Sequence, residues 1–269
     1  MKKGQDLRVM GLILKTIAKG AYVMEMISKE LKGVMIYLRI SGILATLPER
    51  ISYAKAKKLS YEEFLELVLS DEFERREARA LNVKINKAGV ANLESYNWDA
   101  TTQYDRELVK KLFSLSFIEK KQSVLLFGPT GVGKTLLARH LAFAALKAGH
   151  SVLFTRADTM FEALKLSTLD GGHDRTLRYY LKYDLLVVDD FAIRSLSRDE
   201  ANDLYELIIE RYELKSSIFT SARAPEEWQG LFPDPILGNS ALDRLAHSSY
   251  QILMDGPSIR KQNSPKYWR

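Results

Sequence analysis

Apolar and polar positions divide the chain into stretches of different periodicity. The first 30 residues interleave basic residues with Leu7, Val9, Leu12, Ile13 and Ile17 and carry glycines at 4, 11 and 20, which reads as a weak amphipathic helix or a loose arm. From Gly33 to Leu47, apolar residues (Val34, Ile36, Leu38, Ile40, Ile43, Leu44, Leu47) recur at helical spacing until Pro48 breaks the run. Ser60-Tyr61-Glu62-Glu63 has the form of a capping box and opens a long helix through Phe64, Leu65, Val68, Leu69 and Phe73 toward Gly89. The face from Glu72 to Arg79 mixes both signs of charge and is expected to be solvated.

Further on, the pattern becomes an alternation. Apolar runs that read as strands (Val124 to Phe127, Val152 to Thr155, Leu185 to Val188, Ser217 to Ser221, Tyr250 to Met254) are separated by helical patterns at Leu136 to Lys147 and Asp158 to Leu166. A third helix starts at the capping box Ser197-Arg198-Asp199-Glu200 and reaches about Leu214. Strands alternating with helices predict an α/β fold with a parallel sheet covered on both faces, preceded by a small all-helical domain. The expected limits are an arm over 1–30, a helical domain over 31–92, a linker over 93–105 containing Tyr96 and Trp98, the α/β domain over 106–258 and a tail over 259–269.

Composition narrows the class. Cysteine is absent, which excludes a disulfide framework and a thiolate metal site, and the four histidines show no ligand spacing. No apolar run approaches the ~20 residues needed to span a bilayer, so no membrane partner and a cytoplasmic address are expected. The net charge of +6 is uneven: residues 1–123 carry 22 Lys/Arg against 16 Asp/Glu, and 124–269 carry 18 against 18. A neutral half joined to a basic half points to a polyanion gripped by the N-terminal part. Lys55, Lys57 and Lys58, with Lys84 and Lys87, are the first candidates for phosphate contact; Lys165, Arg175, Arg178 and Lys182 are the next.

The chemistry is concentrated in Gly128-Pro129-Thr130-Gly131-Val132-Gly133-Lys134-Thr135, which follows a strand and opens a helix at Leu136. This is the phosphate-loop pattern in its required setting. Its backbone N–H groups and the helix N-terminus cradle phosphates, Lys134 reaches the β- and γ-phosphates, and Thr135 holds Mg²⁺. The strand ending in Asp189-Asp190 supplies a second motif: Asp189 holds Mg²⁺ through water and Asp190 polarises the attacking water. Aspartate reaches one methylene less far than glutamate, so slow ATP hydrolysis is expected.

These two motifs, together with Phe219-Thr220-Ser221-Ala222-Arg223-Ala224-Pro225-Glu226-Glu227-Trp228 and Ala241-Leu242-Asp243-Arg244-Leu245, resemble the IstB-type helper ATPases of insertion sequences. These are AAA+ proteins close to the DnaC-like helicase loaders. Tyr37-Leu38-Arg39-Ile40-Ser41-Gly42 and Ser60-Tyr61-Glu62-Glu63-Phe64-Leu65 resemble the helical domain such helpers carry, so the likeness covers about 31–256. It implies an ATP- and Mg²⁺-dependent homo-oligomer that assembles on duplex DNA, bends it, and recruits and activates a partner transposase. It also implies that Arg244 reaches a neighbouring subunit's nucleotide; the other reading is a pair within its own chain, with Asp243 or Asp234. Ala222 stands where the family's sensor is usually asparagine, leaving that role to Thr220 or Ser221. Arg260 lies where a second sensor arginine is sought. Two further readings stay open: a helicase loader that grips single-stranded DNA, and a DNA scaffold that binds ATP and scarcely hydrolyses it.

Overall fold

The computed structural model describes residues 27–90, 93 and 102–259. The expectations placed on the arm before residue 27, on Tyr96 and Trp98, and on Arg260 and the tail after it lie outside the described residues. The rest forms two compact units, divided between Ala80 and Leu81 inside one long helix.

In the first unit, α1 (Lys29–Tyr37) is capped by Ser28, whose hydroxyl accepts from the Leu31 N–H at 3.1 Å. The expected helix from Gly33 to Leu47 is not continuous. The chain turns at Arg39 (φ 57°), makes a 3₁₀ turn at Ser41–Ala45, and starts α2 (Leu47–Lys57) with Pro48 in its first turn. Pro48 therefore opens a helix rather than ending one, because a first-turn N–H has no partner inside its helix and its loss costs little. The box at Ser60 forms as read: its N–H donates to Glu63 Oε2 at 2.6 Å, its hydroxyl accepts from the Glu63 N–H at 3.2 Å, and α3 (Tyr61–Lys87) follows. Ile27, Met35, Ile43, Leu47 and Val68 make the core.

One element of this unit corrects the solvated-face expectation. Glu72 is only 4% exposed. It accepts from Arg75 at 2.7 and 2.9 Å and from Arg76 Nε at 2.8 Å, and Arg76 donates in turn to the Arg39 carbonyl. Hydrogen bonding to Arg75 holds its carboxyl below the usual carboxylate range. A Cβ on Gly42 would sit 1.9 Å from Arg75 Nε, so a larger residue here would push the Arg75–Glu72 pair aside. Part of the charge run is thus an internal brace, since a buried carboxylate requires close partners.

The second unit begins in the last turns of α3, because Ile85, Ala88 and Val90 are buried in its core and the Ala88 carbonyl accepts from the Phe154 N–H at 3.0 Å. Lys84 and Lys87 therefore belong with this unit. Helices α4 (Arg106–Leu112) and α5 (Ser116–Glu119) lead into a five-stranded sheet of β1 (Ser123–Phe127), β2 (Val152–Arg156), β3 (Leu185–Phe191), β4 (Ser216–Ser221) and β5 (Ser249–Leu253). All pairings are parallel and the order is β2-β3-β4-β1-β5. The crossovers are α6 (Lys134–Lys147) after β1, α7 (Ala157–Leu169) and α8 (His173–Leu181) after β2, α9 (Arg198–Arg211) after β3, and α10 (Pro235–His247) before β5. Helix α8 is absent from the sequence reading. It buries little beyond Leu177 and Tyr180 in a charged segment, too few apolar positions to set a period. Two apolar clusters cover the two faces of the sheet, which is the α/β architecture expected from the alternation.

The buried Arg211 locks one layer to the next. Its guanidinium donates to the carbonyls of Tyr180, Leu181, Tyr183 and Ser216 and to the Ser217 hydroxyl, so it ties the end of α8 to the edges of β3 and β4. Burial pulls its pKa down to about 10, which still leaves it charged at neutral pH.

Candidate nucleotide site

Chain order in the sheet places the two motifs side by side. Strand β4 lies between β1 and β3, so the loop after β1 and the acids at the end of β3 open at the same carboxyl edge, where open α/β sheets bind ligands. Gly128 (φ 135°) turns the chain sharply, and a Cβ there would meet the Met254 carbonyl oxygen at 2.0 Å. Lys134 is the first residue of α6, and its Nζ donates to the carbonyls of Gly128 and Pro129 at 2.7 Å each. The ammonium is thereby held over the mouth of the loop.

Two threonine hydroxyls converge on Asp189, which is 4% exposed. Thr135 Oγ1 donates to its Oδ1 at 2.8 Å and Thr220 Oγ1 donates to the same oxygen at 2.5 Å. The Thr220 hydroxyl also accepts from the Asp190 N–H at 3.0 Å. Both functions of that hydroxyl are engaged in holding the acids. The Ser221 hydroxyl likewise accepts from the Arg223 N–H at 3.0 Å. Asp190 sits in the left-handed region (φ 56°), and its carboxylate pairs with Arg156 at 3.2 Å. Aspartate tolerates that conformation better than most residues. It turns the two successive carboxylates in different directions, Asp189 inward to Thr135 and Asp190 outward.

A cavity of about 550 Å³ covers this edge. Of the residues read from the motif, Thr130, Gly131, Gly133, Lys134, Thr135 and Leu136 line it, as does Asp190. Val132 is 1% exposed in the core, and its carbonyl accepts from the Thr102 hydroxyl at 2.9 Å. Ala222 also lines the cavity, with residues the sequence reading did not assign: Arg139, Ala192, Ile193, Arg223 and Ile259. Arg139 lies over the Phe154 ring at 5.1 Å, and its buried Nε has no hydrogen-bond partner among the described residues. The Ile259 N–H donates to the Gly131 carbonyl at 2.9 Å, laying the start of the tail across the loop. Lys134, Arg139 and Arg223 give the cavity cationic walls suited to a polyphosphate. Thr135 and Asp189 offer hard oxygen donors of the type Mg²⁺ takes together with phosphates. No group of three or more His, Asp or Glu among the described residues forms a self-sufficient metal cage, and magnesium at a nucleotide does not need one.

The described geometry does not bring Arg244 to this cavity. On α10, its Nη1 donates to the Ser240 carbonyl at 2.8 Å and hydroxyl at 2.6 Å, and it lines a separate small cavity with Lys121 and Arg211. It makes no ion pair with Asp243 or Asp234 among the described residues. The basic candidates are all exposed. Lys55 and Lys57 lie in the last turn of α2 with Lys58 as its cap, Lys165 lies on α7, and Arg175 and Arg178 lie on α8. Lys182 caps α8 and stacks over the Tyr179 and Tyr183 rings at 4.5 and 5.1 Å. Just beyond the acids, Arg194 clamps Glu200 at 2.7 and 2.9 Å and keeps its carboxyl at about 2. That folded pKa lies below the ordinary one, so the clamp contributes stability at neutral pH and loses it as pH falls through about 2.

Comparisons with known proteins agree with the site. Residues 34–266 match the family described as IstB-like ATP binding protein. The chain is 39% identical over 244 residues to a Mycobacterium tuberculosis protein named for ATP binding in an insertion sequence, covering 87% of this chain and 95% of that one. It is 31% identical over 240 residues to a Pseudomonas aeruginosa protein named for ATP binding in the insertion sequence IS21, covering 88% and 91%. Among solved structures, DnaI superposes with a TM-score of 0.51 at 20% identity, over 61% of this chain and 88% of that one, a likeness of fold alone. With the phosphate loop and paired acids at one sheet edge and nearly the whole chain matched, this protein belongs to the IstB-like ATP-binding family and shares an α/β P-loop fold with DnaI.

Proposed function

We propose that the protein is an ATP-hydrolysing helper of transposition that oligomerises on duplex DNA, deforms it, and recruits and activates a partner transposase. The observation that carries the hydrolytic part is the convergence of Thr135 and Thr220 on Asp189 with Asp190 beside it on the same cavity. Thr135 and Asp189 would hold Mg²⁺, whose charge offsets that of the phosphates. Lys134 orients the β- and γ-phosphates, and Asp190 accepts the proton of the attacking water once its carboxylate leaves Arg156. The insertion-sequence relatives support the transposition reading. The exposed clusters at Lys55–Lys58, at Lys84 and Lys87, and along Lys165, Arg175, Arg178 and Lys182 are the proposed phosphate contacts, with target choice following DNA deformability.

The test combines electron micrographs and ATP turnover with duplex or single-stranded DNA. ATP-dependent rings or filaments on duplex and turnover raised by duplex are expected. A preference for single strands supports the helicase-loader reading instead, and assembly without turnover leaves the ATP-bound scaffold. Neutralising Lys55, Lys57 and Lys58 together is expected to lower the slope of log affinity against log salt by roughly 2–3 units if all three meet phosphates.

Arg244 is proposed to act across a subunit interface, because it lies away from its own chain's nucleotide cavity and its fork can pair two phosphate oxygens. Arg244→Ala should bind ATP normally yet hydrolyse it at least about tenfold more slowly, the range of a lost charge-assisted contact. Mixed with Lys134→Ala it should recover part of the turnover, since the Lys134 variant brings an intact Arg244 to the other variant's intact site. No recovery in demonstrably mixed assemblies would place Arg244 within its own subunit.

A further inference from the structure

The sensor position of this site holds an alanine, and the two hydroxyls before it are engaged elsewhere, yet the next residue is placed for the task. Strand β4 stands between β3 and β1, with Ser221 in register with Phe191 on one side and Phe127 on the other. The chain leaving Ser221 therefore emerges between the acids and the phosphate loop. Ala222 and Arg223 both line the cavity there. Ala222 has no polar atom to offer. Arg223 has a guanidinium that makes no ion pair among the described residues.

The backbone of Arg223 is fixed from both sides. Its N–H donates to Ser221 Oγ at 3.0 Å, and its carbonyl accepts from Trp228 Nε1 at 3.2 Å. Trp228 is fully buried and packs edge-on against Phe191 at 4.8 Å, the residue directly after Asp190. The Ala224 N–H is held by Glu227 Oε1 at 3.0 Å. A long charged side chain is thus mounted on a rigid turn and left unneutralised at the cavity wall. Of the other cavity cations, Lys134 bonds the loop's own carbonyls and Arg139 packs over Phe154.

We propose that Arg223 is a specificity-determining residue that recognises the terminal phosphate of a nucleoside triphosphate bound to its own chain, in place of the polar side chain missing at 222. A guanidinium supplies two parallel N–H donors to phosphate oxygens, and its reach exceeds that of the asparagine expected one position earlier. The inference rests on the reading of this cavity as the nucleotide site.

The test measures binding of a non-hydrolysable ATP analogue and of ADP, without DNA, to the intact protein and to Arg223→Ala, Arg223→Lys and Lys134→Ala. Arg223→Ala is expected to lose about tenfold in analogue affinity, the worth of one charge-assisted contact, with ADP affinity changed less than twofold. Arg223→Lys should fall between the two, since it keeps the charge and loses the fork. Equal losses for both nucleotides, or no loss for either, overturn the role of Arg223 while Lys134→Ala still abolishes binding. Retained binding in Lys134→Ala overturns the site itself. Because Arg223 is exposed, its replacement leaves the Trp228 cluster packed, and an unchanged unfolding midpoint checks this.

Discussion

Replacing Lys134 by alanine is expected to abolish nucleotide binding in the accessible concentration range, a loss of at least about 100-fold, or roughly 3 kcal/mol. The ammonium is held at 2.7 Å from the carbonyls of Gly128 and Pro129, at the head of α6 and on the wall of the cavity. Hydrogen bonds to a charged group contribute about 1.5–3 kcal/mol each, and no other lysine among the described residues lines the cavity. Alanine is a good helix former at the start of α6, so the variant should fold. The measurement is titration with a fluorescent ATP analogue, accompanied by a thermal unfolding curve. A folded variant that binds ATP as the parent does would show that the loop is not the phosphate site.

Asp190→Asn is expected to give the opposite profile: ATP affinity within about threefold of the parent and turnover lower by roughly 10²-fold, the range for loss of a general base. The backbone conformation at residue 190 makes this substitution clean. Residue 190 sits at φ 56° with its N–H bonded to Thr220, and asparagine adopts the left-handed region as readily as aspartate. Removing the charge also dissolves the Arg156 pair at 3.2 Å, whose two side chains are 60% and 43% exposed. An exposed pair of this kind contributes about 0–1 kcal/mol, so a fall in turnover cannot be ascribed to unfolding. Longer-lived DNA assemblies should accompany it if hydrolysis times release. Single-turnover rates equal to the parent's would show that another group activates the water.

The sequence by itself determined the chemistry of the nucleotide edge and the type of most elements around it. A phosphate loop works through backbone amides and one lysine at fixed spacing, so Gly128 to Thr135 carries its geometry locally, and the strand ending at Asp189 and Asp190 is marked by its own apolar run. Both capping boxes were legible for the same reason: Ser60 with Glu63 and Ser197 with Glu200 close on themselves within one turn. Tertiary structure decided what depends on residues far apart in the chain. That Glu72 is buried follows from Gly42 and Arg39, more than 30 positions away in the case of Arg39, meeting Arg75 and Arg76. That the Thr220 hydroxyl bonds both acids follows from β4 pairing with β3. Arg223 was readable as a letter in a motif, but only the Trp228 bond and the strand order turn it toward the cavity. Local spacing fixes which groups a segment can offer, because caps and loops bond within a few residues; which of those groups remain available is fixed by packing between segments, which no local pattern encodes.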